Sequence, residues 1–216
     1  MSKQFWAVLV IIALVFVGIF AFGGKKSATT TSANAKPSSH IIGEGKTGIT
    51  LVEYGDYQCP YCQEYASVVK QVQQEYNQQI FFQFRNFPLV NIHANAFAAA
   101  RAAEAAGLQN KFWEMHDALY NLANWSVWTV ASDPTKYFTL YAQQIGLDIP
   151  KYQSDYASSQ VNNTINADMA AGNKLNITGT PTYFLDGKQI SVAIDVKAFE
   201  KVINAEIAAK TAATKQ

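Results

Sequence analysis

The chain has 216 residues, a formal net charge of +1 and 49% apolar residues. That is enough for one domain with a buried core and an appendage. The charge gives no field that would gather nucleic acid, and no Lys/Arg cluster alternates with aromatics, so nucleic-acid binding is set aside. Two cysteines three positions apart exclude a disulfide-dense secreted scaffold.

In chain order, Phe5 to Phe22 is an unbroken apolar run with no charged residue. At helical rise it would span roughly 27 Å, close to the hydrocarbon thickness of a bilayer. Residues 1–24 are therefore expected to form a single-pass transmembrane helix. The alternative is a cleaved signal peptide. The run is long for that, and Ala21-Phe22-Gly23 is a poor cleavage site. Lys3 precedes the run, and Lys25, Lys26 and Lys36 follow it. This balance leans weakly towards a cytoplasmic domain, but large domains translocate despite flanking charge. Residues 25–46, rich in Ser, Thr, Ala, Gly and Lys, read as a flexible linker reaching roughly 25 Å.

A globular domain is expected over 47–210. Ile49 to Tyr54 reads as a buried strand. Cys59 to about Tyr76 reads as a helix with Tyr65, Val68, Val69 and Val72 on one face. Ile80 to Arg85 is a second strand, ended by Pro88. An Ala-rich helix is predicted from Ala94 to Ala106, ending at Gly107. Further helices are predicted over about Asn110–Leu122, Pro134–Ile145 and Ser158–Leu175. Thr182 to Leu185 and Gln189 to Val192 pair as a hairpin around Asp186-Gly187. A last helix covers about Val196 to Ala209. The order β-α-β, helical block, β-β-α predicts an α/β fold with a mixed sheet covered by helices.

Cys59-Pro60-Tyr61-Cys62 follows the first strand and opens the first helix. Cys-x-x-Cys in that setting reads as a redox motif. At a helix start, unpartnered N–H groups and the positive end of the dipole stabilise a thiolate, so the Cys59 pKa should fall. Cys62 lies one turn further in and is shielded. The two sulfurs can bond with little backbone movement, giving a Cys59–Cys62 disulfide. Pro60 sits where a missing N–H costs nothing. Cys59 would then exchange with a client and Cys62 would close or release the bridge. Zinc would need about four ligands, and only His40, His93 and His116 accompany the pair, so neither a metal nor another cofactor is expected. A structural bridge closing a short loop, or two inert thiols, remain as competing readings.

The stretch Val52-Glu53-Tyr54-Gly55-Asp56-Tyr57-Gln58-Cys59-Pro60-Tyr61-Cys62 resembles the active-site strand and helix start of the DsbA-like thioredoxin-fold oxidoreductases, most closely their membrane-anchored, BdbD-like branch. The likeness continues at Phe87-Pro88-Leu89, at His93-Ala94-Asn95-Ala96, at Lys111 to His116 and at Gly179 to Gly187. It covers roughly residues 41 to 208. The resemblance implies a thioredoxin-like fold interrupted by a helical insertion over about 93–175. It implies an extracytoplasmic active site at the cell membrane that forms disulfides in exported, still-folding proteins with free thiols. It also implies a membrane partner, DsbB-like or vitamin-K-epoxide-reductase-like, that reoxidises the pair. Pro181 matches the family's cis-proline and would set the Thr180 backbone beside the disulfide to pair with an extended client. Pro60 and Tyr61 would face that client. Glu53 matches the family's buried acid and could take the Cys62 proton.

Tyr61 departs from the His found there in the best-known oxidases and cannot add positive charge, which predicts a milder oxidant. Reductase and isomerase directions stay open, as does a tethered binding module or holdase with incidental cysteines. His93 is expected to cap a helix and His116 to pack on the Phe112/Trp113 helix. Trp125 and Trp128 are expected in the core. The three Asn-x-Ser/Thr sequons are assigned no role.

Overall fold

The computed structural model describes residues 35–214. Five strands form one sheet: β1 (His40–Ile42), β2 (Ile49–Gly55), β3 (Ile80–Asn86), β4 (Thr182–Leu185) and β5 (Lys188–Ile190), in the order β1-β3-β2-β4-β5. Among the described residues eight helices accompany them: α1 (Pro60–Glu75), α2 (Ala96–Gly107), α3 (Phe112–Tyr120), α4 (Leu122–Trp128), α5 (Thr135–Gln144), α6 (Ile149–Tyr156), α7 (Ser159–Lys174) and α8 (Val196–Thr214). Strands β2 and β3 are parallel and joined through α1, as a parallel pair requires; the other pairings are antiparallel. At the β4–β5 hairpin, Asp186 and Gly187 both have positive φ, 47° and 83°, which matches the twist of the flanking strands.

Alternation along the strands divides the core. Ile49 and Leu51 of β2, with Ile80, Phe82, Tyr183 and Leu185, pack against Val69 and Val72 of α1 and Phe199 and Ile203 of α8. Tyr54 and Phe184 point the other way, onto Phe87 and Ile177. There α7 comes close because Gly172 has no side chain: a Cβ would lie 2.7 Å from the Phe87 ring. Helices α2 to α7 lie between β3 and β4 in the chain, and α2 packs at their centre. Seven of its alanines are buried, so small side chains let neighbouring helices approach on several sides.

The structure corrects several of the expected elements and their boundaries. Residues 40–42, expected in the linker, form β1, paired as His40–Phe84 and Ile42–Phe82. A three-residue strand is too short for its alternation to show. Ser38 is buried, and its N–H and hydroxyl donate to Asp168 at 2.9 and 2.7 Å. The predicted helix over 110–122 stops at Tyr120, because Asn121 turns extended at ψ 124° and caps α4, accepting from the N–H groups of Ala123 and Asn124. Helix α6 was not predicted, although Asp148 caps it and Pro150 stands in its first turn. The Ala-rich helix starts at Ala96, not Ala94, and the last helix runs on to Thr214. Among the described residues no helix is long and apolar enough to cross a membrane. The segment expected as an anchor, 1–24, and the first part of the linker lie outside the described residues.

Candidate active site

The site is built where β2 ends and α1 begins. Cys59 is the N-cap of α1, extended at φ −70° and ψ 124°, with Pro60 in the first turn. Its own N–H donates to the Asp56 carbonyl at 3.1 Å, and its carbonyl accepts from Gln63 at 3.1 Å. The sulfur therefore sits at the open end of the helix, where the N–H groups of Cys62 and Tyr61 reach it.

Both cysteines are free thiols, and they titrate in opposite directions. The Cys59 pKa falls to about 6. The Cys62 thiol is the largest cause, donating to the Cys59 sulfur; Thr180 and the two backbone N–H groups add to it against the opposing effect of burial. Burial pushes the Cys62 thiol well up, helped by its bond to Cys59 and by the Glu53 charge. A 3.5 Å contact from the Asp56 N–H opposes this.

Thr180-Pro181 is a cis peptide bond, and the loop it shapes lies against Cys59. In the thiol form Cys59 Sγ donates to the Thr180 carbonyl at 3.3 Å. Neither a thiolate nor a disulfide can make that bond, because both lack the proton. The Thr180 hydroxyl is buried and has no geometric partner, so it is placed to donate to a thiolate. Cys59 is more covered than the sequence suggested, at 4% exposed against 0% for Cys62. A groove of about 310 Å³ opens beside it, lined by Tyr61, Tyr65, Thr180, Pro181 and Ile190. Tyr61 stands out into solvent at 62% exposed. Pro60 is exposed next to it.

Glu53 is buried on β2, on the same face as Leu51 and beneath Cys62, directly across from Tyr183 on β4. Burial raises its pKa to about 8; the Tyr183 hydroxyl lowers it in part, and the Cys59 charge raises it. Gly55 makes room for this carboxyl, since a Cβ there would lie 2.5 Å from Phe84 and 3.0 Å from Glu53 Oε1. At neutral pH Glu53 therefore holds a proton, and its ionisation bears electrostatically on the Cys62 sulfur.

Sequence reasoning overlooked the frame around the motif. The Asp56 carboxylate accepts from Gln58 N–H at 2.7 Å, from Leu89 N–H at 2.8 Å and from His93 Nδ1 at 2.7 Å. His93, expected as a helix cap, thus serves mainly as the partner of Asp56. The Gln58 amide accepts from Asn95 N–H and donates to the Thr129 carbonyl, tying both segments to the loop before Cys59. An acid at the first position after a strand and before Cys-x-x-Cys was the available signal. His116 is buried among aromatic rings, as predicted, with Phe84 and Tyr120 both at 5.0 Å between centroids. Trp128 is wholly buried, and the Trp125 indole donates to the Tyr57 carbonyl at 2.9 Å.

A family model described as thioredoxin matches residues 35–205. Among curated proteins, the Na(+)/H(+) antiporter NhaA 1 of Mycolicibacterium gilvum is 35% identical over 152 residues, which is 69% of this chain and 24% of that protein. NhaA 1 of Salinispora arenicola is 31% identical over 169 residues, 78% of this chain and 25% of that protein. The chain thus spans about a quarter of the length of these relatives. Among solved structures, alpha-DsbA1 from Wolbachia pipientis superposes with a TM-score of 0.70 at 21% identity, covering 83% of this chain and 96% of that one. BdbD from Bacillus subtilis gives 0.66 at 21%, covering 81% and 97%. These likenesses show a shared fold.

Proposed function

Since the chain belongs to the thioredoxin family, whose model spans residues 35–205, we propose that it is a thiol–disulfide oxidoreductase that introduces disulfide bonds into exported proteins through Cys59 and Cys62. One observation carries this reading: the two thiols of a single motif are pushed to opposite sides of their ordinary value. A disulfide whose outer sulfur leaves as a stabilised thiolate is easily reduced, and so oxidises its client.

The step is a pair of exchanges. A client thiolate attacks the Cys59 sulfur of the disulfide. The Cys59–Cys62 bond breaks, its electron pair goes to Cys62, and Glu53 supplies the proton that Cys62 takes up. A second client thiolate attacks the client sulfur of the mixed disulfide and expels Cys59 as a thiolate. The client is oxidised and the enzyme pair reduced. Thr180 and Pro181 offer backbone beside Cys59 for an extended client segment, with Tyr61 as the opposite wall of the groove. The structural neighbours named as BdbD and DsbA proteins support this chemistry.

An oxidase needs clients that are still folding outside the reducing cytoplasm. The proposed protein is therefore held at the cell membrane by residues 1–24, with its domain on the outer side. A membrane partner of the DsbB or vitamin-K-epoxide-reductase kind would reoxidise it. Relatives named as Na(+)/H(+) antiporters support a place of work at a membrane; the match covers a quarter of them and carries no transport activity to this chain. Tyr61, uncharged beside the thiolate, favours a milder oxidant and keeps a reductase direction as the second reading.

The test mixes the disulfide form with a reduced, unfolded protein that folds around one native disulfide. The client should lose its free thiols as Cys59 and Cys62 gain theirs, and Cys59→Ala should abolish this. A client that keeps its thiols while the disulfide form persists contradicts the proposal. The location is tested separately on intact, reduced cells, where a membrane-impermeant thiol reagent should label Cys59; no labelling would place the domain inside.

A further inference from the structure

The exchange just proposed leaves a proton to account for. Glu53 lies inside the protein, and each turnover must refill or empty it. Glu53, Tyr183 and His116 line one cavity of about 10 Å³, closed elsewhere by Leu51, Val69 and Phe82. That is about the volume a single water needs, provided it finds two to four polar partners. Three residues that line it can offer them: Glu53, Tyr183, whose hydroxyl acts on the Glu53 carboxyl, and His116. Gln73 and Trp113 also line the cavity, are partly exposed, and line in turn an open groove of about 360 Å³. The cavity is thus a gap between the buried acid and the protein surface, with a titratable side chain from the helical insertion on its wall.

We propose that His116 passes protons between Glu53 and solvent through one water bound in this cavity. His116 touches neither sulfur. It is a positioning residue that sets where the Glu53 proton goes, and this role rests on the oxidoreductase reading above. In reoxidation or resolution of a mixed disulfide on Cys59, Glu53 first hands its resting proton through the water to His116, and His116 releases it towards the groove. The carboxylate left behind takes the Cys62 proton, and the Cys62 thiolate attacks the Cys59 sulfur, breaking the mixed disulfide and expelling the partner's sulfur as a thiolate. In client oxidation the proton runs the other way.

The surroundings suit this traffic. Facing Glu53 are Cys59 and Cys62 from α1 and Tyr183 from β4, with Tyr57 and Tyr120 behind Cys62. Facing His116 are Asp117, whose carboxylate lies 3.5 Å from Nδ1, Lys70, which pairs with Asp117, and His40, which pairs with Glu104. Burial holds the imidazole below its ordinary pKa while it holds the carboxyl above, so at rest the proton sits on Glu53 and both groups are neutral. An imidazole that gives up protons readily is a carrier and not a sink.

The experiment forms a mixed disulfide between Cys59 and a coloured aromatic thiol, then follows release of that thiol as Cys62 attacks. His116→Gln and His116→Phe are compared with the unaltered protein across pH, and Glu53→Gln serves as the control for loss of the acid itself. The relay predicts release slowed by about tenfold or more in both His116 variants, short of the roughly 10²–10⁴-fold of a direct general base. It also predicts loss of the pH dependence centred near 8. Folded His116 variants with unaltered rate and pH profile, beside a slow Glu53 variant, would overturn the relay and leave the oxidoreductase reading standing. If the unaltered protein releases no thiol, it is the oxidoreductase reading that fails. Should the variants not fold, the unaltered dithiol protein decides: the His116 ring nitrogens should sense the ionisation of Glu53 near pH 8 in an NMR titration, and ring signals blind to it would refute the relay.

Discussion

Cys59 and Cys62 are the same side chain one helical turn apart, and what surrounds them makes them different. Cys59 has donors aimed at its sulfur; Cys62 has apolar packing and a neighbouring acid. The Thr180 hydroxyl is the donor that can be removed with least disturbance, because it has no other geometric partner. A hydrogen bond to a charged group contributes roughly 1.5–3 kcal/mol. Thr180→Val should therefore raise the Cys59 pKa by about one unit, read from the pH dependence of its alkylation, and an unmoved curve would show that the hydroxyl is idle. Glu53 makes a second prediction. Its pKa is about 8 in the folded protein against an ordinary 4.5. As pH rises through that window the unfolded chain releases a proton that the folded one keeps, so stability falls. Glu53→Gln removes that penalty and should stabilise the protein by up to about 3 kcal/mol at neutral pH, with no gain at pH 4. Denaturant unfolding at the two pH values measures it; an equal effect at both would contradict the ionisation argument.

The elements that position the site were unevenly legible. Strand β2, helix α1 and the hairpin around Asp186-Gly187 declared themselves, because long alternation, a helical face and a turn pair are local signals. Pro181 and Glu53 came from resemblance to a family; no spacing rule marks them. The Asp56 and Gln58 contacts were hidden because their partners, Leu89, His93, Asn95 and Thr129, come from segments far along the chain. Strand β1 was missed for another reason. Its stretch is short and flanked by Ser, Gly and Lys, and only burial of Ser38 against Asp168 makes it part of the domain. Asp168 also holds Arg85 at 3.1 Å and the Asn86 N–H at 3.0 Å, so losing Ser38 leaves a buried carboxylate with fewer partners. A chain begun at Thr47 should therefore be less stable than one begun at Asn34 by about 2 kcal/mol or more, seen as a lower midpoint of urea unfolding. Equal midpoints would return residues 38–42 to the linker.

At the scale of the described molecule, the sheet and the helices between β3 and β4 meet at the loop that carries Cys59, so one small motif is gripped from both sides. The sheet supplies Glu53 and the cis-proline loop. The insertion supplies Asn95, the Thr129 carbonyl and the aromatic box around His116. Cys59 is left only slightly exposed, beside a groove of about 310 Å³. Thiolate stabilisation belongs to the reduced, folded protein alone, and on the proposed reading it is this that would make the disulfide oxidising. The most direct test of this account is a titration of the Cys59 thiolate in the reduced protein, followed by ultraviolet absorbance and by alkylation rate. The account predicts a single transition near pH 6 that vanishes in Cys59→Ala, with Cys62 silent below its ordinary range. A first transition at the ordinary thiol value of about 9, or one that survives in Cys59→Ala, would contradict it.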